Sequence, residues 1–224
     1  MSEFGVKSNY PANEKLSNGY NFFQWITRKK DVPTFWMRNI TGNHAINTQE
    51  AMFLKERNCR IGLFLDDFSE QSIASKNGTV DAARAIQAVI DLNVPRYSGI
   101  AIFAFIPCDW NINHNWMISF ARALCEKGYV PGFFGNTDSS KNFCFDRECG
   151  HFIHATHNVN HYCAVYGATE PAPKAISNGW TPYAPSDLHP NQISLWCGDD
   201  VIAFKKIVSE PVYAQNESVL NIFW

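Results

Sequence analysis

The sequence has no excess of charge of either sign, no long apolar run, no glycine-rich phosphate loop and no internal repeat, and each absence removes a class of function. Lysine plus arginine number 19 against 21 acidic residues, a formal net charge of −2. The basic residues are scattered, so no stripe faces a polyanion and nucleic acid is not an expected partner. No apolar run approaches the roughly 20 residues that span a bilayer, and membrane insertion is not expected. The amino terminus, MSEFGVKSNY, carries no basic stretch followed by an apolar one. No signal peptide is therefore visible, which leaves a cytoplasmic location or export by another route. No glycine-rich loop of either standard spacing follows an apolar run, so no cofactor is expected.

Seven cysteines cannot all pair within one chain. Most of them (Cys59, Cys108, Cys125, Cys163 and Cys197) sit in or beside apolar runs, where a free thiol behaves as a small hydrophobe, and this favours a reducing compartment. The hydrophobic share of 46% and charged share of 18% are those of a globular protein, and 224 residues suit one large domain. With 7 Trp, 8 Tyr and 17 Phe the chain is rich in rings. Core packing accounts for most of them, while a few could stack on sugar rings in a cleft.

Short apolar runs alternate with amphipathic stretches. Strands are expected at Glu3–Ser8, from Pro33 through PTFWMRNI, at Arg60–Leu65, within GIAIFAFIPCDWN (Gly99–Asn111), at Tyr129–Gly135, at His151–Thr156 and at Gln192–Trp196. Asn47 with Glu50 has the form of a capping box before a helix over Thr48–Arg57. Thr79 is read as the N-cap of a helix burying Val80, Ala83, Ile86 and Ile90. A third helix, Asn115–Lys127, buries Met117, Phe120, Ala121 and Leu124 and stops at Gly128. Strands alternating with helices imply a parallel sheet with right-handed crossovers, and seven or eight such units imply an α/β (β/α) TIM-like barrel. An open doubly wound sheet ranks second. In a barrel the site lies at the C-terminal ends of the strands.

The segments FGVKSN, FWMRN, INTQEAMFLKERNCRIGLFL, NGTVDAARAIQAVIDLNVP, IAIFAF, GYVPGFFGN and ISLWC follow one another in an order that resembles the glycoside-hydrolase-like TIM barrels of unknown function, distant relatives of the Chalaropsis-type lysozymes. The resemblance covers most of the chain and implies a protein that acts on or binds carbohydrate, peptidoglycan among the candidates. It implies an acid at the end of the first strand and others at the end of the fourth, in a form like FAVDxD. Here Lys7 stands at the first place, and Phe103-Ala104-Phe105 is followed by Ile106. Arg38 matches the arginine carried by the family at the end of its second strand.

Glycoside hydrolysis normally uses two carboxyl groups about 5–10 Å apart. Acids at or past strand ends are Asp66, Asp67, Asp109, Asp199 and Asp200, and the expected catalytic candidates are Asp109 and Asp66. Lys7, Arg38, Asp67, His154 and Trp196 are the expected ligand contacts, since each follows or ends a strand. Lys7 in place of an acid either plugs the old site with a salt bridge or turns the ligand to an anion. A Cys108–histidine nucleophile is less favoured, because a catalytic thiolate needs a cationic or helix-terminal setting that spacing does not show. The run from Cys144 to Cys163 holds four histidines, His151, His154, His157 and His161. On a strand His154 faces away from His151 and His157, so no tetrahedral set converges and no zinc is expected. The expected function is a carbohydrate-directed barrel with weak or lost hydrolysis, the alternative a non-catalytic binding or interaction domain on a degenerate glycosidase barrel.

Overall fold

The computed structural model describes residues 2–107, 110–138, 144–172 and 184–224. Its strands are β1 (Glu3–Ser8), β2 (Phe35–Asn39), β3 (Arg60–Leu65), β4 (Ala101–Phe105), β5 (Val130–Gly135), β6 (Val165–Ala172), β7 (Ile193–Gly198), β8 (Ile202–Phe204) and β9 (Ile207–Ala214). Helices α1 (Phe22–Lys29), α2 (Thr48–Lys55), α3 (Glu70–Ile73), α4 (Thr79–Asp91), α5 (His114–Glu126) and α6 (Cys144–Ala155) lie between them. Strands β1 to β7 pair in parallel in chain order, and β9 closes the ring by pairing antiparallel with both β7 and β1. The chain thus forms a closed eight-stranded α/β barrel of TIM-like type. Its last strand is reversed because β8 and β9 form a hairpin, and no helical crossover returns the chain to the starting end.

Residues of one parity fill the barrel interior. Phe35, Met37, Phe64, Phe103, Phe134, Leu195 and Val212 pack there, and all are fully buried. Glycines on neighbouring strands make room for the rings: a methyl at Gly132 would lie 2.4 Å from the Phe103 ring, and one at Gly167 2.4 Å from that of Phe134. Large and small side chains alternate around the ring, so the interior is a packed core without a channel. At the N-terminal end Phe223 stacks on Phe35 at 4.8 Å. Next to it Trp224 exchanges main-chain hydrogen bonds with Ile61 at 2.9 and 3.0 Å, which adds a rung to the edge of β3.

The helix layer follows the sequence reading in part. The buried stripe of α5 is the expected one with Trp116 added, and Gly128 ends it at φ +82°. The capping box of α2 is only half formed: the Asn47 side chain accepts from the Glu50 N–H at 2.9 Å, but the Glu50 carboxylate is engaged elsewhere. In α4 the buried residues are Asp81, Ala82, Ala85 and Val89, while Val80 is 66% exposed. The expected stripe is rotated because α4 meets α5 at close range. A methyl at Gly78 would lie 2.5 Å from the Trp116 carbonyl, and only small residues fit that approach. Asp81 is drawn to the same contact, where its carboxylate accepts from the Trp116 indole at 3.0 Å.

One further reading is corrected, and one strand has no counterpart in the sequence reading. The segment His151–Thr156 is no strand. It belongs to α6 and the turn after it, and the sixth strand starts at Val165. The run Ile207–Ala214 is a closing strand although Pro211 interrupts its donors, a residue that ordinarily argues against a central strand.

Candidate functional site

The interior alternation that buries phenylalanine along most of the barrel delivers polar side chains to its C-terminal end. Lys7 of β1 points inward there, with its ammonium 2.7 Å from Glu210 Oε2 and 3.8 Å from the centre of the Phe105 ring. Register places Lys7 directly opposite Glu210 across the antiparallel β1–β9 pair. Phe105 stacks on Phe134 at 4.8 Å, which holds the ring that Lys7 covers. Lys7 is only 12% exposed, so its charge is compensated by Glu210 and by the ring face and little by water.

Asp66, two residues beyond Phe64, continues the inward parity of β3. Asn39 donates its side-chain amide to Asp66, and the Asn9 amide bonds it as well. Desolvation raises the Asp66 carboxyl above the usual range, Asp67 adds to the rise, and the Lys7 charge and the hydrogen bonds oppose it without cancelling it. Two carboxyl groups of unlike setting therefore meet the field of one lysine: Asp66, which holds its proton to higher pH, and Glu210, which is ion-paired. The rim is tied by a second chain of contacts. Asp67 accepts from Thr41 at 2.6 Å and pairs with Arg84 at 3.0 Å, and Arg84 also pairs with Asp81 at 3.0 Å.

A raised carboxyl has a measurable consequence. The folded chain holds the Asp66 proton to higher pH than the unfolded chain, so the ionised group opposes folding at neutral pH. Asp66→Asn is expected to raise the melting temperature at pH 7, and the gain should vanish as pH falls towards about 4, near the unfolded aspartate value. Thermal unfolding of both proteins from pH 4 to pH 8 checks this, and a variant less stable than the parent at pH 7 contradicts it.

The other expected site residues lie elsewhere. Arg38 has the opposite parity to Met37 and Asn39 and is buried beneath α2, with Nε 2.8 Å from Glu50 Oε1 and Nη2 3.1 Å from Oε2. It also donates to the Ser8 carbonyl at 2.6 Å and the His44 carbonyl at 3.0 Å, so Nε, Nη1 and Nη2 are each engaged by an acceptor of the protein. Trp196 likewise faces outward, fully buried beside Tyr213. His154 lies on α6, exposed and 3.0 Å from Asp187, since the strand that was to carry it is a helix. Asp200 pairs with Lys30 on the outside of the barrel, and Asp199 lies beside it in the turn after β7. Asp109 and Cys108 lie outside the described residues.

Of the expected set, the structure brings together Lys7, Asp66 and, at the rim, Asp67. Glu210, Asn39 and Asn9 were missed. The alternation of Glu210, Val212 and Ala214 was a usable signal for an inward glutamate, masked by the intervening Pro211.

No family model matches the sequence, and no curated protein is similar to it. Three solved chains share the fold. One is an uncharacterized protein of B. stearothermophilus, 18% identical over 99% of this chain and 100% of that one, with a TM-score of 0.77. The Tat-secreted protein Rv2525c of Mycobacterium tuberculosis is 11% identical in two crystal forms. Its complex with HEPES aligns over 96% of this chain and 95% of that one at a TM-score of 0.59, and its complex with L-tartrate over 97% and 96% at 0.60. At these identities the likeness is one of fold.

Proposed function

We propose that the chain is a carbohydrate-directed barrel of the glycoside-hydrolase-like kind, which binds a polyhydroxylated, acid-bearing glycan such as a peptidoglycan fragment at its C-terminal mouth. The observation that carries the reading is the placement of Lys7, Asp66 and Glu210, with the Phe105 ring among them, at one end of an otherwise apolar interior. A lysine in that position supplies a charge-assisted hydrogen bond to a carboxylate or hydroxyl, and the two acids supply acceptors for sugar hydroxyls. The complexes of Rv2525c with HEPES and L-tartrate support it, since both molecules carry hydroxyl and acid groups.

Hydrolysis is weak or lost in this reading. Lys7 fills the place where the resembled family carries an acid, and loss of a general acid removes about a hundred- to ten-thousandfold in rate. A purely binding or interaction role is the second reading, favoured by the Lys7–Glu210 salt bridge, which occupies both side chains.

Glycan binding and glycan release separate these readings. Peptidoglycan and chitin oligomers are titrated into the parent, Lys7→Met and Glu210→Gln, and release of reducing ends is followed in parallel. Lys7→Met should weaken binding roughly 10- to 100-fold, the worth of one hydrogen bond to a charged group. Release should be undetectable or very slow. Robust release abolished by Asp109→Asn overturns the degenerate site, and failure of the parent to bind any glycan overturns the carbohydrate assignment.

A further inference from the structure

A second convergence of chemistry-bearing side chains lies away from the mouth, where the first turn of α5 packs against α6. Glu148 and His151 are three residues apart on α6 and so share one face of that helix. Across from them, His114 opens α5 under an Asn113 cap. Glu148 Oε2 accepts from the His114 main-chain N–H at 3.1 Å and lies 2.8 Å from its ring Nδ1. Oε1 lies 3.6 Å from His151 Nδ1. The two imidazoles meet edge to face at 5.3 Å, and one donor atom from each of the three residues lies within 4.8 Å of the others.

We propose that His114, Glu148 and His151 form a binding site for a divalent first-row transition cation, zinc by preference, with three protein ligands and a fourth position taken by water. Zinc bonds of about 2.0–2.1 Å in tetrahedral array set ligand atoms roughly 3.3–3.4 Å apart; here His114 Nδ1 lies 2.8 Å from one carboxylate oxygen of Glu148 and His151 Nδ1 3.6 Å from the other, and with one atom from each residue within 4.8 Å of the others, side-chain rotation alone brings the three onto one ion. Two imidazoles and one carboxylate are a donor set that zinc, cobalt and nickel accept and that magnesium and calcium do not favour. Glu148 is nearly buried and His151 is exposed, so the site has a fixed floor and an open side for entry. Coordination through Nδ1 leaves the His114 proton on Nε2, which lies 3.2 Å from the Asn115 side-chain amide.

The helical course of residues 144–155 is what makes this possible. The expectation of no zinc concerned the cysteines and histidines of residues 144–163, whose spacings fit no standard finger and whose histidines a strand would have turned to opposite faces; it did not include His114. On a helix, the residue three positions before His151 returns beneath it. One competitor is present: Arg147 Nε lies 3.1 Å from Glu148 Oε1, the oxygen that faces His151.

The test uses the whole chain, stripped with a chelator and titrated with zinc chloride by calorimetry and with cobalt chloride by visible absorption. One cation per chain should bind, with cobalt bands of tetrahedral or five-coordinate nitrogen and oxygen ligation, and zinc should raise the melting temperature. His151→Ala, at an exposed position, should fold normally and weaken binding about tenfold or more. Arg147→Gln should tighten binding by removing the competitor, which a purely structural hydrogen-bonded cluster would not do. Absence of binding at millimolar cation, affinity unchanged in His151→Ala, or a cobalt spectrum with thiolate charge transfer each overturns the proposal.

Discussion

Arg38→Leu is expected to lower the melting temperature by roughly 6–20 °C, because breaking a buried ion pair from one side costs about 3–5 kcal/mol, and a chain of this size loses about 2–4 °C per kcal/mol. Neither Arg38 nor Glu50 has any side-chain exposure. Among the described residues, removal of the guanidinium leaves the Glu50 carboxylate in the layer between β2 and α2 with the Ala12 N–H at 2.8 Å, and it takes a donor from the carbonyls of Ser8 and His44. The double variant Arg38→Met with Glu50→Met should recover more than half of the loss, since two apolar side chains replace two charges. The rest should persist, because the Ser8 and His44 carbonyls and the Ala12 N–H still lack the bonds that Arg38 and Glu50 made to them. Thermal unfolding of the two single variants and the double variant forms the cycle. A single-variant shift under about 2 °C, the value of a surface ion pair, would contradict this account and reopen a ligand-binding role for Arg38.

Phe223→Ala is expected to have an effect of similar size at the opposite end of the barrel. Phe223 is 2% exposed, stacks on Phe35 and approaches Phe103 at 6.4 Å, and a methyl on Gly62 would come within 3.3 Å of its ring. The ring therefore fills a space that a glycine leaves open. Truncating a buried phenylalanine to alanine costs about 3–5 kcal/mol, because the cavity collapses only in part. Urea unfolding should show a lower midpoint with an unchanged slope. Glycan binding at the mouth should persist in the folded fraction, because the two ends are separated by the packed phenylalanine layers. An unchanged midpoint would mean that the plug is dispensable.

The candidate site was legible in part. The first five strands stand out as apolar runs, and the ends of the first and third directed attention to Lys7 and Asp66. Their partners were hidden for separate reasons. Glu210 directly precedes Pro211 on a strand that returns in the opposite sense, and the pairing that sets it against Lys7 joins residues 203 positions apart. The apolar pattern around Phe152 and Ile153 is short enough to suit either a strand or a helix, and as a strand it carried His154 to the wrong place.

Composition and periodicity by themselves determined the alternation of strands and helices, the stripe of α5 and the stop at Gly128, because these depend on spacing along a short stretch of chain; closure into a barrel rests on β9, whose pairing with β1 joins the two ends of the chain. Which face of each strand lines the barrel was decided only by the tertiary structure. In a parallel barrel both faces of a strand are buried, so Met37 and Asn39 inward with Arg38 outward is no more visible in the sequence than the reverse. One residue of parity separates the mouth from the helix layer, and it makes Lys7 part of a polar cluster at the mouth and Arg38 half of a buried ion pair.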